Sequence, residues 1–173
     1  MIPQIKKILY GTDLTKNSSY AFYFATDLAR TYNARIIILH SFEPIPPSLY
    51  VDPAFNDFFE VFRREQNQKE IDVAKIKDLL QKFCQNTESR IGVPCVDLVS
   101  EVIVKEGYPV EEILNTADTK GCDVIVLGSH GKGWLKQAFL GSTASSVLER
   151  TRKPVYIIPL PSKRSSMEEI GTL

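Results

Sequence analysis

Four apolar residues in a row, Val124-Ile125-Val126-Leu127, stop at Gly128, and a glycine-bearing loop leads from there to Gly141-Ser142-Thr143. Within this chain, no other stretch limits the fold as strongly. An apolar run of that length bounded by glycine suits a strand buried on both faces, as in a parallel sheet. Glycine just beyond the carboxyl end of such a strand lets backbone approach a ligand, because it has no Cβ and tolerates positive φ. A helix opening at Ser142 aims its free N–H groups and the positive end of its dipole back into the loop, which is how helix starts hold phosphate. The spacing is regular: Gly128, two residues, Gly131, nine residues, Gly141-Ser142. Glycines that serve only turns are the alternative reading of the same loop.

Strand and helix patterns alternate through the rest of the chain. IKKILY, residues 5–10, reads as a short strand ending at Gly11; Thr12-Asp13-Leu14 turn, and Asn17 or Ser18 can cap the first helix. From Ser19 to Tyr32, Ala21, Phe22, Phe24, Ala25, Leu28 and Ala29 recur at helical spacing. RIIILHSF, residues 35–42, is a continuous apolar run fit for a central strand. Four prolines make residues 43–55 a loop, and a long polar helix is expected from about Phe55 to Thr87, exposing Phe58, Phe59, Val61 and Phe62. Residues 96–107 alternate in part and read as a third strand. Tyr108-Pro109 start a helix with Ile113, Leu114 and Ala117 on its buried face. A helix from Ser142 to about Thr151 is expected to bury Ala144, Val147 and Leu148, and PVYIIP, residues 154–159, is a fifth strand.

Such alternation predicts a single α/β domain with an open parallel sheet and helices on both faces. In these sheets ligands sit beyond the carboxyl ends of strands where the strand order reverses. Gly11-Thr12-Asp13 after the first strand and Gly128 to Ser142 after the fourth both meet that description. Asp13 suits ribose hydroxyls as an acceptor, and it also suits a plain turn or cap.

Composition narrows the function classes. The 21 basic and 21 acidic residues cancel, so no global field favours nucleic acid or an anionic membrane. No apolar run approaches the roughly 20 residues of a membrane helix. The start, MIPQIKKILYGTD, enters a strand pattern at once without a signal-peptide layout, so a cytoplasmic protein is expected. Cys84, Cys95 and Cys122 lack metal-ligand spacing, and with only His40 and His130 beside them no metal site is expected.

These residues together carry a family resemblance. Gly128-x2-Gly131-x9-Gly141-Ser142 resembles the nucleotide-binding signature of the universal stress protein family, in its ATP-binding branch. KKILYGTDLT, IIILH, EGYPVEEIL and KPVYIIP are similar to the same family, so that the resemblance spans residues 5–160. It implies a five-stranded sheet in the order 3-2-1-4-5, adenine-nucleotide alpha-hydrolase-like, with a domain at 1–161 and a polar tail at 162–173. It also implies a homodimer that binds ATP with or without Mg2+; the fifth strand, Val155–Ile158, would lie at a sheet edge and is expected to pair or pack against its counterpart in that dimer. By motif, Thr12 and Asp13 match the adenosine-contacting turn, Ser41 the adenine-lining position, and Leu127 the apolar residue before the first glycine. Gly128, Gly131, Gly141, Ser142 and Thr143 match the phosphate-cradling residues, with His130 and Lys132 in the loop beside them. Two positions depart from the family pattern: Gly11 stands where proline is common, and Ser41 where an aliphatic residue is usual.

The loop is neither a Walker P-loop nor a dinucleotide GxGxxG, and no Ser-His-Asp or Cys-His arrangement is visible, since neither histidine has an evident orienting partner. The leading expectation is therefore a regulatory ATP-binding protein with slow or absent hydrolysis and no catalytic residue of its own. An ATPase or phosphotransferase using His130 or Lys132 is one alternative; a protein-interaction module without nucleotide is the other.

Overall fold

The computed structural model describes residues 4–13, 16–43, 78, 94, 97–129 and 140–159. In chain order these form β1 (Lys7–Gly11), α1 (Lys16–Tyr32), β2 (Arg35–Phe42), β3 (Val99–Glu106), α2 (Pro109–Thr119), β4 (Val124–Gly128), α3 (Ser142–Arg150) and β5 (Val155–Ile158). The five strands make one parallel sheet in the order β3-β2-β1-β4-β5. Beyond Glu43 the expected 43–55 loop, and with it the phenylalanine cluster and Gly92-Val93, lie outside the described residues; Asp78 is helical.

Successive residues of a strand point to opposite faces, so a sheet covered on both sides needs apolar residues at every position. β1, β2 and β4 meet that need. Ile8, Tyr10, Ile36, Ile38, Val124 and Val126 pack on one face with Ala21, Phe22, Ala25, Leu28 and Ala29 of α1. Leu9, Ile37, Leu39, Ile125 and Leu127 pack on the other with Ile113 and Ala117 of α2 and Ala144 and Val147 of α3.

Several elements differ from what the pattern suggests. α1 begins at Lys16, so Asn17 and Ser18 lie inside its first turn rather than before it. Periodicity could not show this, because Lys16, Asn17, Ser18 and Ser19 are all polar and carry no apolar period. Phe24 is on the outer face, 40% exposed and edge-on to Tyr20 at 5.3 Å, an i,i+4 pair. α2 buries Thr116 beside Ile113 and Ala117, with Leu114 partly buried. Leu148 is 51% exposed rather than buried. Ala144 and Val147 already face the sheet, and the next residue is turned about 100° further round the helix.

β3 starts at Val99 rather than at 96, because Asp97 N–H bonds Pro94 O at 3.1 Å in a turn. Its pairing with β2 steps from Ile36↔Val99 to Ile37↔Glu101, leaving Ser100 as a bulge whose hydroxyl donates to Ile36 O at 3.2 Å. The extra residue brings Val99 and Val102, three apart, to the same face as α1, while Ile103 packs on the other. This is why the alternation in the sequence is only partial.

The turn from α2 to β4 needs Gly121, at φ +62° with open space around it. Asp123 then locks β4 beside β1. Its Oδ2 accepts from the amides of Lys6 at 2.8 Å and Lys7 at 2.9 Å. Among the described residues no helix is long and apolar enough to cross a membrane.

Buried groups generate two expected outcomes. The Thr116 hydroxyl is buried with no hydrogen-bond partner, so Thr116→Val should raise unfolding free energy by about 1 kcal/mol in urea titrations; a loss would contradict this. Burial pushes the Cys122 thiol up, against the opposing pull of Lys153, Lys7 and Lys120. Folding therefore favours the protonated thiol. Its contribution is complete below pH ~8.5 and is lost as pH rises through the folded value. Stability measured between neutral pH and pH ~10 should fall more steeply in the parent protein than in Cys122→Ala; parallel curves would refute it.

Candidate functional site

β1 and β4 are neighbours at the centre of the sheet, yet the chain leaves them in opposite directions. After β1 it enters α1 on one face; after β4 it leads to α3 on the other. Diverging exits leave a crevice beyond the carboxyl ends of the two strands.

The floor of this crevice is apolar and closely packed. Gly11 ends β1 beside Leu127 of β4: a Cβ on Gly11 would stand 2.6 Å from Leu127 Cδ2 and 3.5 Å from Ile113 Cδ1. Leu127 is itself only 5% exposed, so it has little room to swing away. The absence of a side chain at Gly11 is therefore what lets Leu127 occupy the space between the strands. Ser41, half-buried at the end of β2, lies two residues past Leu39, the partner of Gly11.

Beyond the floor, the β1 turn is held to β2 from both sides of one residue. Thr12 N–H donates to Leu39 O at 2.9 Å, and Thr12 O lies 2.8 Å from His40 Nδ1. His40 thus has a backbone partner, which the sequence could not show. Asp13 is next in the chain, half-buried.

On the β4 side, Ser129 ties the ends of the glycine loop together. Ser129 N–H donates to Ile158 O at 2.8 Å, and Ser129 O accepts from Gly141 N–H at 2.7 Å. The chain is thereby at one place before and after residues 130–139, with Ser129 bonded to Gly141. His130, Gly131, Lys132 and Trp134 lie outside the described residues. Gly141 is the N-cap of α3 in extended conformation and no side chain caps the helix. The amides of the first turn have no intrahelical acceptor. Ser142 is exposed and Thr143 half-buried at that start.

α2 and α3 are joined at their surface by Arg150, which bonds both oxygens of Glu111 at 2.6 and 3.0 Å. Those hydrogen bonds hold the Glu111 carboxyl below its ordinary range and raise the arginine. Both groups are exposed, so solvent screens the pair. Nearer the rim, Lys105 pairs with Glu112 at 3.4 Å. Among the described residues no cluster of three or more His, Cys, Asp or Glu could hold a metal ion.

A sequence profile of the universal stress protein family matches residues 4–159. The chain belongs to the universal stress protein family. Universal stress protein MJ0577 of Methanocaldococcus jannaschii is 30% identical over 160 residues, covering 88% of this chain and 94% of the relative. The solved structure of MJ0577 superposes with a TM-score of 0.66 at 27% identity, over 92% of this chain and 99% of that one. Two other universal stress proteins share the fold at lower identity. One, in complex with cAMP, has a TM-score of 0.57 at 20% identity, over 92% and 100% of the two chains. The other, from Arabidopsis thaliana with AMP bound, has 0.53 at 19%, over 94% and 97%.

Of the twelve site residues the sequence pointed to in this universal stress protein, Gly11, Thr12, Asp13, Ser41, Leu127, Gly128, Gly141, Ser142 and Thr143 stand at or just beyond the carboxyl ends of β1, β2 and β4 or at the start of α3, and His130, Gly131 and Lys132 lie outside the described residues. The sequence did not point to His40, Ile113 or Ser129. Ile113 was legible only as core, and the other two act through backbone partners that the strand register decides.

The contact at Gly11 generates a prediction. Gly11→Val should cost about 1–3 kcal/mol by overpacking against Leu127. In a double-mutant cycle with Leu127→Ala, the pair should be at least ~1 kcal/mol more stable than the summed single losses. Additive losses in urea denaturation would show that the two positions do not compete for space.

Proposed function

We propose that this universal stress protein is a regulatory adenine-nucleotide binder that takes ATP in the crevice beyond β1 and β4, with hydrolysis slow or absent. The observation that supports this most is the Gly141 to Ser129 hydrogen bond, which brings the two ends of the glycine loop together just beyond β4, the strand that pairs with β1.

The donor set fits the ligand. Amides of Ser142 and Thr143 at an uncapped helix start, with Gly128 and Gly141 lacking side chains, suit phosphate oxygens. The family resemblance assigns His130, Gly131 and Lys132, which lie outside the described residues, to the same phosphate site, where Lys132 would add positive charge. Asp13 suits ribose hydroxyls, and Ser41 with the apolar wall of Leu127 and Ile113 suits adenine. ATP would bring its phosphates to this cradle, with or without Mg2+ held by the phosphate oxygens. That universal stress proteins of this fold are known with AMP and with cAMP bound adds support to an adenine nucleotide. The same reading takes residues 1–161 as the nucleotide-binding domain and 162–173 as a polar tail, and expects a cytoplasmic location.

Calorimetry should give saturable ATP binding to the purified protein and none detectable to Gly141→Val, with the far-ultraviolet spectrum retained. Trp134, the only tryptophan, falls in sequence between Gly131 and Gly141, and its emission should change on ATP addition. Equal ATP affinity in the parent and Gly141→Val would overturn the site.

The same reading includes a homodimer through β5. β5 is an edge strand, and Tyr156 upon it and Leu148 on α3 are 47% and 51% exposed, an apolar edge that invites pairing. Ile157 packs toward α2 and α3, so Tyr156 is the better probe. Light scattering at micromolar concentration should give a dimer mass for the parent and a monomer mass for Tyr156→Asp. A monomeric parent would refute the interface.

A further inference from the structure

We infer that His40 is a positioning residue for the nucleoside, acting through the backbone of Thr12; this rests on the nucleotide-binding reading above. A hydrogen bond of 2.8 Å joins His40 Nδ1 to Thr12 O. A carbonyl can only accept, so Nδ1 carries the proton, and in the neutral ring Nε2 is the acceptor. The imidazole is 9% exposed at the end of β2.

Its place in the ladder gives the bond its consequence. β1 pairs with β2 through Gly11↔Leu39, and Thr12 N–H still reaches Leu39 O at 2.9 Å. β1 ends there, and the chain must turn away toward α1. The His40 side chain carries the β1–β2 pairing one residue further, so both backbone polar groups of Thr12 are fixed to consecutive residues of β2. A peptide held at both its amide and its carbonyl cannot rotate freely about φ and ψ. The direction in which Asp13 leaves the strand is set by that restraint. Binding energy is greatest when such groups are ordered before the ligand arrives, since the ligand then does not have to order them. A hydrophobic residue at 40 could fill the volume but would leave Thr12 O without this donor.

The test compares the parent with His40→Leu and His40→Asn, the asparagine amide having a donor at nearly the reach of Nδ1. Calorimetry with adenosine is used because adenosine contacts the turn and carries no phosphates. His40→Leu should weaken adenosine by about ten-fold, the equivalent of one hydrogen bond of roughly 1.4 kcal/mol. His40→Asn should recover most of that loss. Hydrogen exchange at the Thr12 amide, without ligand, should speed up in the leucine variant and not in the asparagine variant. Unchanged adenosine affinity in His40→Leu overturns the inference. So does a folded His40→Asn that binds as weakly as the leucine variant, which would make the ring shape rather than the donor decisive. If His40→Leu does not fold, the asparagine variant alone decides, by retaining or losing affinity. A parent protein that binds neither adenosine nor ATP overturns the nucleotide reading itself.

Discussion

Pairing of β1 with β4 joins segments separated by 117 residues of chain, from Lys6 to Asp123, and the candidate site exists only because that pairing is in one register. Asp123 secures it at the amino ends. Its carboxylate takes two successive amides of the chain entering β1, and its own N–H returns a bond to Lys7 O at 2.8 Å. Hydrogen bonds from N–H to a carboxylate are among the stronger ones. A slip of β1 by one residue against β4 would put Leu9 and Leu127 on opposite faces and separate Gly11 from Leu127. The staple at one pole thus fixes what faces what at the other.

Much of this fold was legible because the sheet is buried on both faces. Continuous runs such as RIIIL and VIVL have no other good use in a chain of ordinary composition, and the helices between them carry the 3.6-residue period. What escaped was decided by contacts rather than by pattern. The polar first turn of α1 has nothing to bury, so its start at Lys16 left no periodic mark. The bulge at Ser100 looks like noise until β2 is placed beside it. Leu148 is apolar and helical, yet Ala144 and Val147 already fill the face that meets the sheet.

The candidate site shows the same division. Glycines declare themselves because few other roles explain three of them around a strand end and a helix start. His40 does not. Its meaning depends on β1 and β2 standing side by side, which brings its ring to Thr12, a residue 28 positions away. Ser129 is similar: a small polar residue in sequence, it becomes the tie between the start and the end of the glycine loop. Gly11 combines both kinds of information. Its departure from the family's usual proline is visible in the sequence, but only the packing gives the reason, since Leu127 takes the space a ring would need.

The central claim is that an adenine nucleotide enters at the carboxyl rim where β1 and β4 part. Amide chemical-shift mapping on isotopically labelled protein titrated with ATP tests it most directly. Entry at that rim predicts the largest shifts at Thr12, Asp13, Gly128, Ser129, Gly141, Ser142 and Thr143, with Asp123, Lys153 and the other residues of the opposite pole unmoved. Shifts centred on that opposite pole, or on the outer face of α1, with the rim unchanged, would contradict it.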